Sequence, residues 1–186
     1  MINLLESQIA VYQTRYPDED LSSLLSQLDD ERSDDSWPFL SRHNMRGHIT
    51  ASAFVVNPAR THVLLIDHAF LKMWLQPGGH WECDVSLLDA ARREVVEETG
   101  VICEIEESVP LDIDSHTIPA NEKKNEDAHV HHDFVFLATA DPEAELTHQV
   151  EEVHEAKWIP IADIMGLGNR LSRIAGKITG YYSCAI

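Results

Sequence analysis

Apolar residues recur at helical spacing near the start of the chain, at Ile2, Leu5, Ile9 and Tyr12, so a first helix is expected there. A second is expected over residues 21–29, capped by Asp18 or Asp20. The polar run Asp29-Asp30-Glu31-Arg32-Ser33-Asp34-Asp35-Ser36, with Pro38 behind it, closes a helical leader of residues 1–46. The leader is expected to lie outside any catalytic machinery; packing on the main domain, dimerisation and covering a site are all open to it. Residues 47–186 read instead as one α/β domain. Residues 49–57 and 62–67 are expected to be antiparallel strands joined by the turn Asn57-Pro58-Ala59-Arg60. Gln76-Pro77-Gly78-Gly79 reads as a sharp turn. Ser86 is a good N-cap for a helix running to Thr99, with Gly100 just past its end. Further strands are expected near residues 101–106, 111–118, 129–138 and 153–160, with helical pieces over 161–165 and 170–178 and a polar loop over 119–128. This irregular alternation predicts a mixed sheet between helices.

The helix after Ser86 carries the strongest chemical pattern. Leu87, Leu88, Ala91 and Val95 form its apolar stripe. Glu94, Glu97 and Glu98 fall within an arc of roughly 100°. Three like charges there repel one another and oppose the helix dipole near its C-terminus. A solvated acidic face is the bland alternative. The face opposite the stripe centres on Arg93, however, whereas Glu94 and Glu98 flank the Leu87–Ala91 edge and are expected to be partly desolvated. Oxygen clusters of this kind suit hard ions such as Mg2+, which in turn grip phosphates.

Gly79, Arg93, Glu94, Val95, Glu97, Glu98, Gly100 and Val101 match the Nudix box, Gly-x5-Glu-x7-Arg-Glu-U-x-Glu-Glu-x-Gly-U with U aliphatic, without a gap. The wider resemblance to the Nudix hydrolase family covers about residues 47–165. It implies an α/β/α sandwich with a mixed sheet, here preceded by the helical leader. It implies hydrolysis of a nucleoside diphosphate linked to another moiety, with a small phosphorylated substrate. Glu94, Glu97 and Glu98 would hold Mg2+ or Mn2+, and Arg93 would orient them. Gly78 and Gly79 are assigned to substrate binding, and the general base to Glu98, Glu151 or Glu152. The first box glutamate falls on Val85, with Glu82 and Asp84 close by to compensate.

A second feature is His129-Val130-His131-His132-Asp133. On a strand, His129, His131 and Asp133 share one face, and Val130, His132 and Phe134 the other. Asp112, Asp114 and His116 alternate in the same way. His80, His129, His131 and Asp133 are candidate ligands for an additional transition metal, since imidazole with carboxylate suits Zn2+, Mn2+ or Fe2+. Contact with substrate phosphates, for which His116 is also a candidate, and proton transfer by His131 are the other readings. The segment from Ile118-Pro119-Ala120 to Asp133 resembles a poorly characterised Nudix branch. His48 and His80 also resemble metal ligands of isopentenyl diphosphate isomerases, which share the Nudix fold. That family, however, has a Cys-Gly-His sequence where this chain has Gly78-Gly79-His80. A nucleotide-sensing domain without turnover is a third class, for which only Val85 speaks. Trp158 is expected in the core, and Trp74 and Trp81 in the core or at the rim of the glycine turn.

Charge narrows the partners. With 14 Lys+Arg against 32 Asp+Glu the net charge is −18, so polyanions are repelled at long range and general nucleic-acid binding is excluded. The longest basic cluster is Lys123-Lys124. Cys83, Cys103 and Cys184 are scattered, without CxxC spacing, which fits a reducing compartment and an expected cytoplasmic location. The first residues lack a signal-peptide pattern, and no apolar run is long enough to predict a membrane span. A homodimer built on the leader is one expectation the resemblance leaves open.

Overall fold

The computed structural model describes residues 2–32, 38–122, 125–147, 152–167 and 169–180. Strand β1 (His48–Val56) has all nine of its residues buried. Burial on both faces places it at the centre of the sheet. Strand β7 (His129–Thr139) runs parallel along one side of it, in register from His48↔His131 to Val56↔Thr139. Two antiparallel strands share its other side: β4 (Gly78–His80) against Thr50, Ala51 and Ser52, and β2 (His62–His68) against Val55 and Val56. Strand β2 also pairs with β3 (Met73–Leu75) and β8 (Val153–Pro160). Strand β7 is joined on its far side by β5 (Glu104–Ile105) and β6 (Asp112–Ile118).

Alternation along β1 divides the core. Ile49, Ala51, Ala53 and Val55 pack against Leu87, Ala90, Ala91 and Val95 of helix α3 (Leu87–Thr99). Leader helices α1 (Ile2–Arg15) and α2 (Ser22–Glu31) join this same core through Leu5, Ile9, Tyr12 and Leu24. Phe54 and Val56 point the other way. They meet Ile161 and Ile164 of α4 (Ile161–Met165) and Leu171 and Ile174 of α5 (Arg170–Ile178). The result is the expected mixed sheet between helical layers. Among the described residues, no helix is long and apolar enough to cross a membrane.

Local chemistry explains most boundaries. Asp20 Oδ1 accepts from the Ser22 N–H at 2.8 Å, and α2 starts there. The Ser86 hydroxyl accepts from the Asp89 N–H at the head of α3. Gly100 closes that helix at φ 72°, where any side chain is disfavoured. Strand β5 is shorter than expected, and β3 was not expected at all.

The glycine turn is a correction. Gly78 and Gly79 lie within β4, and neither has positive φ. They are glycines because neighbours come close. A Cβ on Gly78 would stand 2.2 Å from Ser52 Cβ, and one on Gly79 2.5 Å from a Glu94 carboxylate oxygen. Gly78→Ala is therefore expected to destabilise the protein by about 1–3 kcal/mol through overpacking. Urea denaturation measures this; unchanged stability would mean that β4 can move away freely.

A buried ionic cluster ties the leader to the sheet. The Lys177 side chain is fully buried. Its Nζ donates to Asp112 Oδ1 at 2.7 Å and to the Tyr12 hydroxyl at 2.8 Å, and pairs with Glu19 at 2.6 Å. It also lies 4.0 Å from the centre of the Tyr16 ring. Asp112 is equally buried and accepts from Arg173 at 2.7 Å and Arg170 at 3.4 Å. Burial alone would raise the Asp112 carboxyl; Lys177, Arg170 and Arg173 together hold it below its usual range.

Candidate active site

Helix α3 delivers two of its three glutamates to the backbone of β4. Glu94 and Glu98 are 9% and 5% exposed, in keeping with their place beside the apolar stripe. Glu98 Oε2 accepts from the Gly78 N–H at 2.8 Å. The Glu94 carboxylate lies flat against Gly79, in space that a side chain there would fill. Glu97 stands at the rim with 44% of its side chain exposed.

Arg93 organises the group by using all five of its N–H donors. Nε and Nη2 grip the two oxygens of Asp84, at 3.1 and 3.0 Å. Nη1 donates to Glu94 at 2.8 Å and Glu97 at 3.0 Å. Nη2 also donates to the His80 carbonyl at 2.8 Å. A lysine has neither the fork nor enough donors for this arrangement. Val85 is 88% exposed, and Asp84, one residue earlier, supplies the local carboxylate to Arg93. These contacts, the Asp84 bonds foremost, raise Arg93 above its ordinary value, and Arg93 in turn lowers Asp84.

The glutamates themselves are under-neutralised. Burial pushes Glu98 up to about 8, against the opposing Gly78 N–H bond, with further repulsion from Glu94 and Glu152. Burial raises Glu94 to about 7 even though Arg93 pulls it down. Glu152, on the loop before β8, therefore acts on both carboxylates, and its carbonyl accepts from the Ala69 N–H at 2.9 Å. Glu151 lies outside the described residues. Carboxylates whose pKa values burial raises in this way are a donor set that a divalent hard cation satisfies, binding it in competition with protons.

The histidines occupy the opposite face of the sheet. Successive residues of β4 alternate, so Gly79 faces α3 while His80 faces away. The register places His80 beside Thr50, His48 beside His131, and His116 beside His131. Ring centres of His48 lie 5.0 Å from His80, 4.9 Å from His129 and 4.8 Å from His131. His131 sits amid the others, and burial with four neighbouring imidazoles drives its pKa far below the ordinary histidine value. His132 points to the α3 side, as its alternation predicts. Burial, followed by neighbouring charges, lowers it to about 4, and its Nε2 bonds Gln27 at 3.0 Å.

Two sequence candidates stand apart from the inner group. Asp133 is fully engaged, accepting from Thr50 at 3.1 Å, Ser52 at 2.8 Å, Gln76 at 3.1 Å and Arg170 at 2.9 Å. Such bonds leave it a structural hub. His116 holds Asp114 through Nδ1 at 2.9 Å on the flank of the group. His48, one residue before the expected strand, is central instead. It is 1% exposed, and its Nε2 has no hydrogen-bond partner among the described residues. A buried unpaired acceptor costs about 1–3 kcal/mol. Its alternation with Thr50 and Ser52 placed it on this face, but nothing local paired it with His131.

An α/β/α sandwich carrying the box helix against a diglycine strand defines a NUDIX domain, and the family model of that description matches residues 46–178. A Lactococcus lactis protein named "probable DHNTP pyrophosphohydrolase" is 36% identical over 126 residues, 62% of this chain and 74% of that protein. The Danio rerio m7GpppN-mRNA hydrolase NUDT17 is 41% identical over 61 residues, but the match spans only 20% of its length and 30% of this chain. A Clostridium perfringens hydrolase of the NUDIX family superposes with a TM-score of 0.52 at 25% identity, covering 73% of this chain and 97% of that one. A C. elegans Ap4A hydrolase shares the fold, with a TM-score of 0.54 at 17% identity and the same coverage. The chain belongs to the Nudix hydrolase family and is an enzyme of that kind.

Proposed function

We propose that the protein hydrolyses a pyrophosphate bond in a small nucleotide-type substrate, using Mg2+ or Mn2+ held by Glu94, Glu97 and Glu98. One observation carries this reading: two buried, under-neutralised carboxylates packed on glycine backbone, with a third at the rim. When bound, such ions lower the pKa of water and neutralise charge growing on phosphate oxygens. Arg93 keeps Glu94 and Glu97 aimed at a common point, and the Gly78 N–H orients Glu98. Gly78 and Gly79, without side chains, let Ser52 and the Glu94 carboxylate approach β4 closely. Glu98 or Glu152 takes the proton from the attacking water, and Glu152, being exposed, can pass it to solvent.

The relatives' names suggest where to begin with substrates. A chain of net charge −18 is better suited to a small diffusing molecule than to a long polyanion. The named relatives are hydrolases, and the isomerase-like reading rests on the histidines alone. The test is a panel of DHNTP, ADP-ribose, dinucleoside polyphosphates, nucleotide sugars and nucleoside triphosphates, with Mg2+, with Mn2+ and with chelator. Metal-dependent cleavage of at least one member is expected. Cleavage that persists undiminished in chelator would refute the metal reading.

A further inference from the structure

We infer that His48, His80 and His131 form a second metal centre, selective for a borderline transition ion such as Zn2+ and separate from the carboxylate site. One imidazole nitrogen from each of the three lies within 4.8 Å of the other two. Nitrogens sharing a tetrahedral zinc stand roughly 3.3 Å apart, so modest ring rotation closes the set. The donors are all imidazole, because Asp133, the nearest carboxylate on the strand, is consumed by Thr50, Ser52, Gln76 and Arg170. An all-nitrogen set discriminates against Mg2+ and favours Zn2+, Co2+ or Ni2+.

The surrounding bonds fix the tautomers of His48, His129 and His116. The Nδ1–H of His48 donates to the Asn44 carbonyl at 3.1 Å, and that of His129 to the Asp127 carbonyl at 2.7 Å. Carbonyls only accept, so in both rings Nδ1 carries the proton and Nε2 the lone pair. Asp114 does the same for His116. This is how proteins orient metal-ligating histidines. The Nε2 of His48 is buried and has no hydrogen-bond partner among the described residues. With its proton on Nδ1, His129 accepts at Nε2 from the His131 Nε2–H at 3.1 Å, which leaves Nδ1 as the lone-pair nitrogen of His131.

The centre would reach the glutamates through one strand. His80 carries its ring on one face of β4 and its carbonyl bonds Arg93, while Gly78 of the same strand holds Glu98. An ion on the histidines therefore pins the backbone that positions the box. It is a positioning device, and it stands on geometry independent of the hydrolase reading.

Cobalt is the probe. The full chain, stripped by chelator and titrated with Co2+, is expected to bind one ion with the intense visible bands of low-coordinate cobalt. Zn2+ should abolish the bands, and millimolar Mg2+ should leave them. His80→Gln and His131→Gln are expected to weaken Co2+ binding at least about 100-fold. His80, half-buried on an edge strand, can be replaced with little risk to folding, which circular dichroism checks. Glu97→Gln should keep the bands. Absence of bands in the wild type, or bands that survive His80→Gln in a folded protein yet vanish in Glu97→Gln, would overturn the proposal. Hydrolase activity enters none of these readouts, so failure of one proposal leaves the other standing.

Discussion

Glu98→Gln is expected to lower kcat by about three orders of magnitude while making the ion-free protein more stable at alkaline pH. The activity loss follows from removing a negative oxygen at the junction of β4 and α3, where Glu98 is the most buried of the three glutamates. The stability gain follows from linkage. Glu98 titrates near 8 in the folded protein against 4.5 in an ordinary environment. Between those values the folded state keeps a proton that the unfolded chain has lost, so stability falls as pH rises through 4.5 to 8 and levels off above. Glutamine cannot ionise, still accepts from the Gly78 N–H, and escapes that loss. Allowing for coupling to Glu94, the gain at pH 9 is on the order of 3 kcal/mol, or about 6–12 °C in Tm, and close to zero at pH 5. Thermal unfolding in chelator at the two pH values, beside steady-state kinetics in Mg2+, checks both halves. A variant that turns over normally, or one destabilised at pH 9, would show that Glu98 is an ion-paired structural acid.

Lys177→Met is expected to destabilise the protein by about 3 kcal/mol, lowering Tm by about 6–12 °C. Methionine preserves the length of the side chain but removes the ammonium bridging Asp112, Glu19 and the Tyr12 hydroxyl. Asp112 keeps Arg173 and Arg170, so it is not stranded; Glu19 and Tyr12 lose their link to α5. The damage should therefore concentrate where the leader meets the sheet, and limited proteolysis should cut first within α1 and α2. Tyr12→Phe, which removes one hydroxyl, should cost only about 1 kcal/mol. Equal and small effects in the two variants would mean that apolar packing of Leu5, Ile9 and Leu24 alone holds the leader.

Much of this was legible along the chain, for identifiable reasons. Helix α3 announces itself through Ser86, its stripe and Gly100, all local signals that the structure bears out. The burial of Glu94 and Glu98 follows from their angle to that stripe. The two faces of residues 129–133 follow from strand alternation. Gly78-Gly79 misled, because a glycine required by close approach looks the same in sequence as one required by a turn. The pairing of β1 with β7 was beyond reach: Thr50 and Asp133 bond across 83 residues, and no short-range pattern sets a parallel register. Hence His48 could be noticed, but its place beside His131 could not be derived. The Lys177 cluster was hidden for the same reason, since charged residues scattered over the leader, β6 and α5 read as solvated until the fold buries them.

The parallel pairing of β1 and β7 also sets an order of events during synthesis. A chain extended only through α3 already contains all three box glutamates, yet β1 then has partners on one side only. The step that completes the sheet must close a loop of some eighty residues, and such non-local contacts form late. His48 can meet His131 only after that closure. Any ion that the histidines capture is thus taken up by a nearly finished molecule, and cannot serve as the template on which the early chain folds.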